Sequence, residues 1–559
     1  MARNKQQPVI HLKEARQPVK YESGSNAIFW WLLVVVLLFV AVVRLRLLGL
    51  SLERDEGEYA FIGQLLLKGF APFENAYNMK FPGTSLMYAL FMMLFGETQQ
   101  GIHAGFLIMN AMTIILLFVI VRKYLGNLVA IVTAATYGLI TISPAVLGSA
   151  AHATHFVVFF AAGGTGLLLA ALKNQRRINL FLSGLLFGLG ILMKQSGVFF
   201  VLFAGMVFLY DQLIIKRTSI TQWFFSGMVW AAGVVLPVAG LFLWMSAAGT
   251  FSRFWFWTME YGSQYASVES WSRGWANLQV NLDGLQHDFI FLWLLAPVGL
   301  LVLWTAKFPS ATRAFVTALT IVSVLAVFPG LYFRQHYFVL FIPAFSLLAG
   351  IAIAFLSTLL TERYQLKYGR TIASLIFLAA CLAGIVQLFP YLFQQNMFTV
   401  SRSLYGGNPF PEALTMARYI KSQSAPEEKI AILGSEPEIL FYADRLSATG
   451  YIYTYSLMEE QAYNVQMQKE MIAEIENGQP QWMVFCRIPQ SWLMRDESPQ
   501  EIFDWIRTYS DQYYDPVGIM EIPNDLRAGT FYWNEQIANF KGTSDRQVYV
   551  FKRKKEAAQ

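Results

Sequence analysis

From residue 27 to residue 393 the sequence is a succession of apolar runs, each near the roughly 20 residues that a helix needs to cross a bilayer. Eleven are delimited, approximately 27–50, 99–121, 127–145, 153–172, 178–193, 197–215, 222–246, 287–305, 311–328, 336–358 and 371–393. Of the 559 residues 55% are hydrophobic and 16% aromatic, which suits a polytopic membrane protein and not a soluble domain. The first run, Ala27 to Leu50, is too long for the core of a signal peptide and lacks a small-residue cleavage site. It is expected to remain as a membrane helix, preceded by a polar, basic tail over 1–26. The expected fold class is a polytopic α-helical membrane protein of about eleven spans.

The segment Thr84 to Gly96 is apolar but short, and charge decides its place. If it lies at the membrane interface, the turns Arg122-Lys123, Lys173 to Arg177, Lys216-Arg217, Lys307 to Arg313 and Glu362 to Arg370 all share the side of the N-terminus. An excess of Lys and Arg of this kind marks cytoplasmic loops. Counted as a span, the segment would send several of these clusters outside, so it is read as interfacial. The prediction is a multi-pass protein of the cell membrane, with a cytoplasmic N-terminus and an extracytoplasmic C-terminus.

The opposite face then collects the first outer loop, 51–98, together with 146–152, Lys194 to Ser196, 247–286, 329–335 and all residues beyond 394. The 247–286 loop carries Trp255, Trp257, Tyr261, Tyr265, Trp271 and Trp275, which read as an aromatic belt at headgroup depth or as a lid over a lipid substrate. Beyond 394 short β-like runs, Lys429 to Leu433, Gln481 to Arg487 and Gln547 to Lys552, alternate with helical stretches such as Met458 to Asn477. This predicts a small extracytoplasmic α/β domain over 394–559. It holds no Gly-rich phosphate loop or nucleophile elbow, so recognition or support is expected of it and not catalysis. The net charge of +6 comes with no basic tract interleaved with aromatics, so no nucleic-acid partner is expected. Cys381 and Cys486 stand far apart and give no disulfide framework.

The densest charge on the outer face is Arg54-Asp55-Glu56-Gly57-Glu58-Tyr59. Charge beside a bilayer is costly unless it stays wet, pairs or does chemistry. Asp55 and Glu58 stand at the spacing of a capping box, so Asp55 reads as a helix cap or as a carboxylate that meets an incoming hydroxyl. A helix N-terminus lowers the basicity of such a group, which then helps most where the transition state acidifies the hydroxyl. Arg334, in Tyr332-Phe333-Arg334-Gln335-His336-Tyr337, is a planar donor able to grip a phosphate with two hydrogen bonds, or else the partner of a loop carboxylate. Lys194, at a turn between apolar runs, reads as a snorkelling lysine or as a further substrate cation. His152 and His155 sit three apart, so one helical face offers both to a divalent metal, with a structural or hydrogen-bonding role as the alternative.

Asp55-Glu56-Gly57-Glu58-Tyr59-Ala60, a short helix, and Asn78-Met79-Lys80-Phe81-Pro82-Gly83 resemble the first outer loop of bacterial GT-C glycosyltransferases. Within them the likeness is greatest to the aminoarabinose-transferase and protein O-mannosyltransferase branch, glycosyltransferase family 39-like. It extends over roughly 27–393, with Lys-Phe-Pro in place of the usual Lys-Pro-Pro and His152 and His155 where the second outer loop often carries an acid. The resemblance implies a GT-C fold and a sugar donor on a polyprenyl phosphate. It further implies inverting transfer to a lipid, glycan or protein acceptor, among membrane lipids. Carried over, Asp55 is the base and Glu56 the neighbour that orients it or the sugar. Lys80 contacts the donor phosphate, whose growing charge needs a fixed cation where water is scarce. Tyr59, Lys194, Arg334, His336 and Tyr337 complete the expected substrate-binding set. The resemblance names no particular cofactor, and a divalent metal stays open.

A membrane transporter or lipid flippase is the alternative. It would place ionisable residues at mid-membrane and show repeats or paired broken helices, whereas here the charges gather at one face. A scaffold with a partner-binding outer domain is the third reading, which the charged loop disfavours.

Overall fold

The computed structural model describes residues 26–555, so of the predicted tail only Asn26 falls within it. Mostly apolar side chains leave the backbone to satisfy itself, and each of the eleven predicted runs is largely helical. In chain order the helices are α1 (Asn26–Leu47), α2 (Arg54–Leu67), α3 (Gly83–Phe95), α4 (Gln99–Leu125), α5 (Asn127–Ile140), α6 (Ala153–Asn174), α7 (Arg177–Met193), α8 (Val198–Leu209) and α9 (Ile220–Ala247). The short α10 (Phe251–Trp255) and α11 (Gly262–Ser267) follow, then α12 (Trp271–His287), α13 (Ile290–Thr305), α14 (Ser310–Leu325), α15 (Ile342–Thr358) and α16 (Gly369–Gln387).

Among the described residues, seven helical stretches are long and apolar enough to cross a membrane: Ala27–Leu47, Gln99–Leu125, Ala153–Asn174, Gln195–Ile215, Ile220–Ala247, Ile342–Arg363 and Gly369–Gln387. Their outward side chains are apolar, as at Leu243, 70% exposed, and Val386, 71% exposed, an arrangement that lipid tolerates and water does not. The chain is a polytopic helical membrane protein. Four other predicted spans are shorter: α5, α7, α13 and α14 have 14, 17, 16 and 16 residues. For α5 the packing supplies a reason, because its Val129–Ile140 stretch is buried throughout against α1, α4 and α15 and is screened from lipid. The segment read as interfacial is α3, whose 13 residues rise only about 20 Å.

Beyond 394 lies one five-stranded sheet in the order β1-β2-β5-β3-β4, with strands β1 (Ile430–Leu433), β2 (Trp482–Arg487), β3 (Tyr514–Glu521), β4 (Thr530–Trp533) and β5 (Gln547–Arg553). β1 and β2 are parallel, while β5 runs antiparallel between β2 and β3. The three predicted strands are β1, β2 and β5. The sequence reading missed β3 and β4; in β3, Pro516 and Gly518 interrupt the alternation where the ladder bulges. The predicted helix from Met458 begins later, at Asn464, and ends at Gly478.

Candidate active site

The first turn of α2 sets the site. Its cap is Glu53, whose carboxylate accepts the Glu56 N–H at 3.0 Å, and not Asp55. The expected Asp55–Glu58 capping box does not form: the cap is the single Glu53 contact, and the Asp55 side chain is free to point elsewhere. Glutamate is an uncommon cap, which is why the shorter acid drew the assignment. On the same turn Arg54 donates to the Ser435 carbonyl (2.6 Å), the Tyr455 hydroxyl (2.7 Å) and Asn408 Oδ1 (3.0 Å), and pairs with Glu436 at 3.2 Å. Gly57 lets the helix Pro437–Ala443 come close: a Cβ there would stand 2.6 Å from the Glu438 nitrogen. The loop helix is thus wedged against the segment beyond 394.

The Lys80 loop is fixed from the other side. A Cβ on Gly83 would lie 2.3 Å from the Leu192 carbonyl oxygen, so only glycine permits this approach to the end of α7. Thr84 donates to the Met193 carbonyl at 2.9 Å, and the Gln195 amide donates to the Met79 carbonyl at 2.7 Å. These ties hold the backbones of Lys80 and Lys194 side by side. Arg334 is turned inward by left-handed backbone at Gly330, Leu331 and Phe333.

Together these elements wall a cavity of about 220 Å³ lined by Asp55, Tyr59, Lys80, Lys194, Arg334, His336 and Tyr337, seven residues named from the sequence. Lys80 Nζ stands 3.1 Å from Asp55 Oδ1, 2.9 Å from Glu58 Oε2 and 4.7 Å over the Tyr59 ring. Burial pushes the Asp55 carboxyl up, but the opposing cations, Lys80 above all, hold it well below the usual carboxylate range. Glu58 goes the other way, because burial outweighs its share of Lys80. Of the two carboxyls that share Lys80, Asp55 is thus the more acidic. Lys194 does not snorkel: its Nζ lies 3.5 Å over the Tyr337 ring, and burial pushes it down to about 7. The Arg334 guanidinium packs against the Tyr332 and Tyr455 rings at 5.5 and 5.8 Å.

Two expected site residues stand elsewhere. Glu56 is fully buried behind Asp55, where one oxygen takes the Ala151 N–H (2.7 Å), a His103 ring nitrogen (3.1 Å) and the Tyr88 hydroxyl (3.4 Å). It does not reach the cavity to orient a sugar; it anchors the strand-like segment that carries His152. His155 is corrected as a metal candidate: it packs edge-on against Phe106, ring centroids 4.8 Å apart, one turn into α6. The group that does assemble is Asp55, His152 and His336, whose donor atoms all lie within 4.8 Å of one another. Both nitrogens of His152 are buried without a hydrogen-bond partner, and burial pushes the ring down to about 4, so it is neutral and able to ligate. Two imidazoles and a carboxylate suit a divalent transition metal, so these residues fit one.

The sequence reading missed the contribution of the segment beyond 394, because that part carries no motif. Tyr453, Tyr455 and Glu459 come from it and line the same cavity. The aromatic loop divides: Trp257, Tyr261 and Tyr265 face the cavity, while Trp255, Trp271 and Trp275 are exposed.

A sequence profile of the family described as dolichyl-phosphate-mannose-protein mannosyltransferase matches residues 80–244, a stretch that opens on Lys80 and contains His152 and Lys194. No curated protein matches the sequence. Among solved structures the fold is similar to ArnT from Cupriavidus metallidurans bound to undecaprenyl phosphate, with 15% identity and a TM-score of 0.57 over 94% of this chain and 98% of that one. It is also similar to the archaeal oligosaccharyltransferase AglB from Archaeoglobus fulgidus in complex with an inhibitory peptide and a dolichol-phosphate, with 12% identity and a TM-score of 0.52 over 92% of this chain and 75% of that one.

Proposed function

Since the chain has the fold of the GT-C membrane glycosyltransferases, we propose that it transfers a sugar from a polyprenyl-phosphate donor to an acceptor hydroxyl at the outer face of the cell membrane. One observation carries this reading. Lys194 and Arg334 face the cavity with no ion-pair partner among the described residues, beside the Lys80–Asp55–Glu58 cluster. Cations held out of water without a counter-charge are costly. A phosphate ester between them supplies the missing anion, and the structures of both similar folds hold a prenyl phosphate.

Cavities of about 60 and 550 Å³ continue in line along α6, α8 and α14. Phe200, Phe315 and Leu319 line the first, and Leu172, Met206 and Ala311 the second. From Ala153 beside the reacting groups to Lys173 at the far end, α6 rises about 30 Å, the thickness of a bilayer core. An isoprenoid tail suits such a strip.

In the reaction the acceptor oxygen attacks the anomeric carbon from the face away from the phosphate. The carbon–oxygen bond to phosphate breaks, its electron pair stays on the phosphate, and the carbon inverts. The hydroxyl proton passes to Asp55. Because the surrounding cations weaken this base, it takes the proton late, once bond formation has acidified the hydroxyl. Arg334, Lys194 and Lys80 stabilise the charge growing on the leaving group. A divalent cation held by Asp55, His152 and His336 would add positive charge at the same place. The acceptor is a lipid, a glycan or a protein. The basic turns favour a cytoplasmic N-terminus, and the reading has a catalytic membrane part over 27–393 followed by an extracytoplasmic α/β domain over 394–559.

The protein in nanodiscs, given undecaprenyl phosphate esters of radiolabelled hexoses and pentoses with an envelope extract as acceptor, should release free undecaprenyl phosphate. No binding of undecaprenyl phosphate overturns the reading. Movement of intact donor between leaflets without release would make the protein a lipid transporter instead.

A further inference from the structure

Glu459 follows the short helix Tyr455–Met458 and brings a carboxylate from the segment beyond 394 to the wall of the reacting cavity. One oxygen, Oε2, accepts the Tyr261 hydroxyl at 2.7 Å. The other, Oε1, meets no donor among the described residues, although the residue is only 7% exposed. Of the two cations that act on it, Arg334 has the larger influence and has no ion-pair partner among the described residues, whereas Arg495 is paired with Glu269 at 2.7 Å. Burial pushes the carboxyl up to about 7 against the pull of Tyr261, Arg334 and Arg495. A carboxylate serving only as an acceptor for Tyr261 gains nothing from the second, open oxygen, and a glutamine would do as well without a buried charge.

The surroundings say what the open oxygen meets. Trp257, Tyr261 and Tyr265 line the same cavity, with Trp257 stacked on Tyr77 and Tyr265 on Tyr332 at centroid distances of 5.5 and 4.6 Å. Rings that pack against C–H faces, beside a carboxylate that accepts hydroxyl protons, make a site for a polyol ring. The cations that take the phosphate lie on other elements, at Lys80, Lys194 and Arg334.

Resting on the donor reading above, we infer that Glu459 is the residue that recognises the donor's sugar, and that it admits neutral or amine-bearing sugars while rejecting those that carry an acid group. In its ionised form the carboxylate accepts one or two sugar hydroxyls, and a uronic acid would then bring a second negative charge against it. Like charges in a desolvated pocket are strongly unfavourable.

Binding to the nanodisc-embedded protein of three probes separates the possibilities: undecaprenyl phosphate, its glucosyl ester and its glucuronosyl ester. The wild type should bind the glucosyl ester at least about tenfold more tightly than the glucuronosyl ester, the scale of one hydrogen bond to a charged group. Glu459→Gln should bring the two esters within about threefold of one another, and Glu459→Ala should weaken the glucosyl ester about tenfold, both leaving bare undecaprenyl phosphate unchanged. Tyr261→Phe removes the bond to Oε2 but keeps the charge, so it should preserve the discrimination. The inference is overturned if the wild type binds both esters alike, if Glu459→Gln leaves the preference intact, or if bare undecaprenyl phosphate weakens together with its esters. Equal loss of discrimination in Tyr261→Phe and Glu459→Gln would reduce Glu459 to a latch on the aromatic loop. Failure of the wild type to bind bare undecaprenyl phosphate would instead bring down the donor reading, and this inference with it.

Discussion

Lys80 Nζ bridges Asp55 and Glu58, 3.1 Å from one carboxylate and 2.9 Å from the other, so the carboxylate best placed to accept a proton is masked by a cation. On the proposed reading, a phosphate arriving between Lys194 and Arg334 would compete for that lysine. Movement of Lys80 toward the phosphate would raise the basicity of Asp55, so donor binding and activation of the base would be one event.

Asp55→Asn tests the base without disturbing the helix, because Glu53 carries the cap. Turnover should fall about 10²- to 10⁴-fold while donor binding and thermal stability hold. Normal turnover in this variant removes Asp55 from the chemistry. Glu56→Gln should behave in the opposite sense, losing stability through the His103 and Ala151 contacts with a smaller effect on turnover.

Lys80→Ala and Arg334→Ala should each weaken donor use by roughly tenfold to a hundredfold, the worth of one charge-assisted contact. Arg334→Lys should recover only part, since an ammonium cannot grip two oxygens at once. Steady-state kinetics with a prenyl-phosphate sugar decide the point, and unchanged kcat/KM in both alanine variants would refute the phosphate site.

The pH dependence follows from Lys194, pushed from 10.5 to about 7 by burial, with Lys80 adding to the shift. Between those values the unfolded chain binds a proton that the folded protein lacks, so this group makes stability rise with pH across that window. Below about pH 7 the buried charge is present and costly. Relative to Lys194→Met, the wild type should therefore gain melting temperature between pH 7 and pH 9.5, and bound undecaprenyl phosphate should flatten the gain. A wild type that loses ground over this range would contradict the assignment.

Gly57→Ala should destabilise the protein and lower activity together, since the new methyl meets the Glu438 backbone at 2.6 Å and neither side is a flexible side chain. The overpacking cost is typically about 1–3 kcal/mol. Thermal unfolding in detergent measures it, and a neutral substitution would mean that the segment beyond 394 yields readily.

Asn4→Cys and Lys541→Cys should react with an impermeant maleimide from opposite sides of sealed vesicles. The native Cys381 and Cys486 are buried and contribute no background. Labelling of both from one side would overturn the eleven-span topology.

Much of the fold was legible because lipid imposes one rule, a backbone that satisfies itself, and apolar length reports it directly. The helices α1, α4, α6, α9, α15 and α16 follow from that rule alone. Cavity residues such as Asp55, Lys80 and Arg334 were legible because charge at a membrane face is rare enough to need a reason. What stayed hidden depends on tertiary approach. Glu56 and Asp55 are adjacent in sequence, yet the helical turn sends one into the core and the other into the cavity. His336 joins His152, their rings stacked 4.1 Å apart, across 184 positions of chain, a pairing that no local spacing encodes. Glu459 belongs to a segment with ordinary soluble composition, and only its approach to Tyr261 gives it meaning.

The wedging of Arg54 and Gly57 against Ser435, Glu436 and Glu438 bears on how chains of this fold can be recombined. The acidic hexapeptide is not a portable cassette. Transplanted alone into a related scaffold, it would meet a foreign wall where Arg54 expects a carbonyl, a hydroxyl and a carboxylate at once. Chimeras should therefore be cut so that the turn at 54–57 travels with 435–459, the two treated as one inherited unit despite the several hundred residues between them.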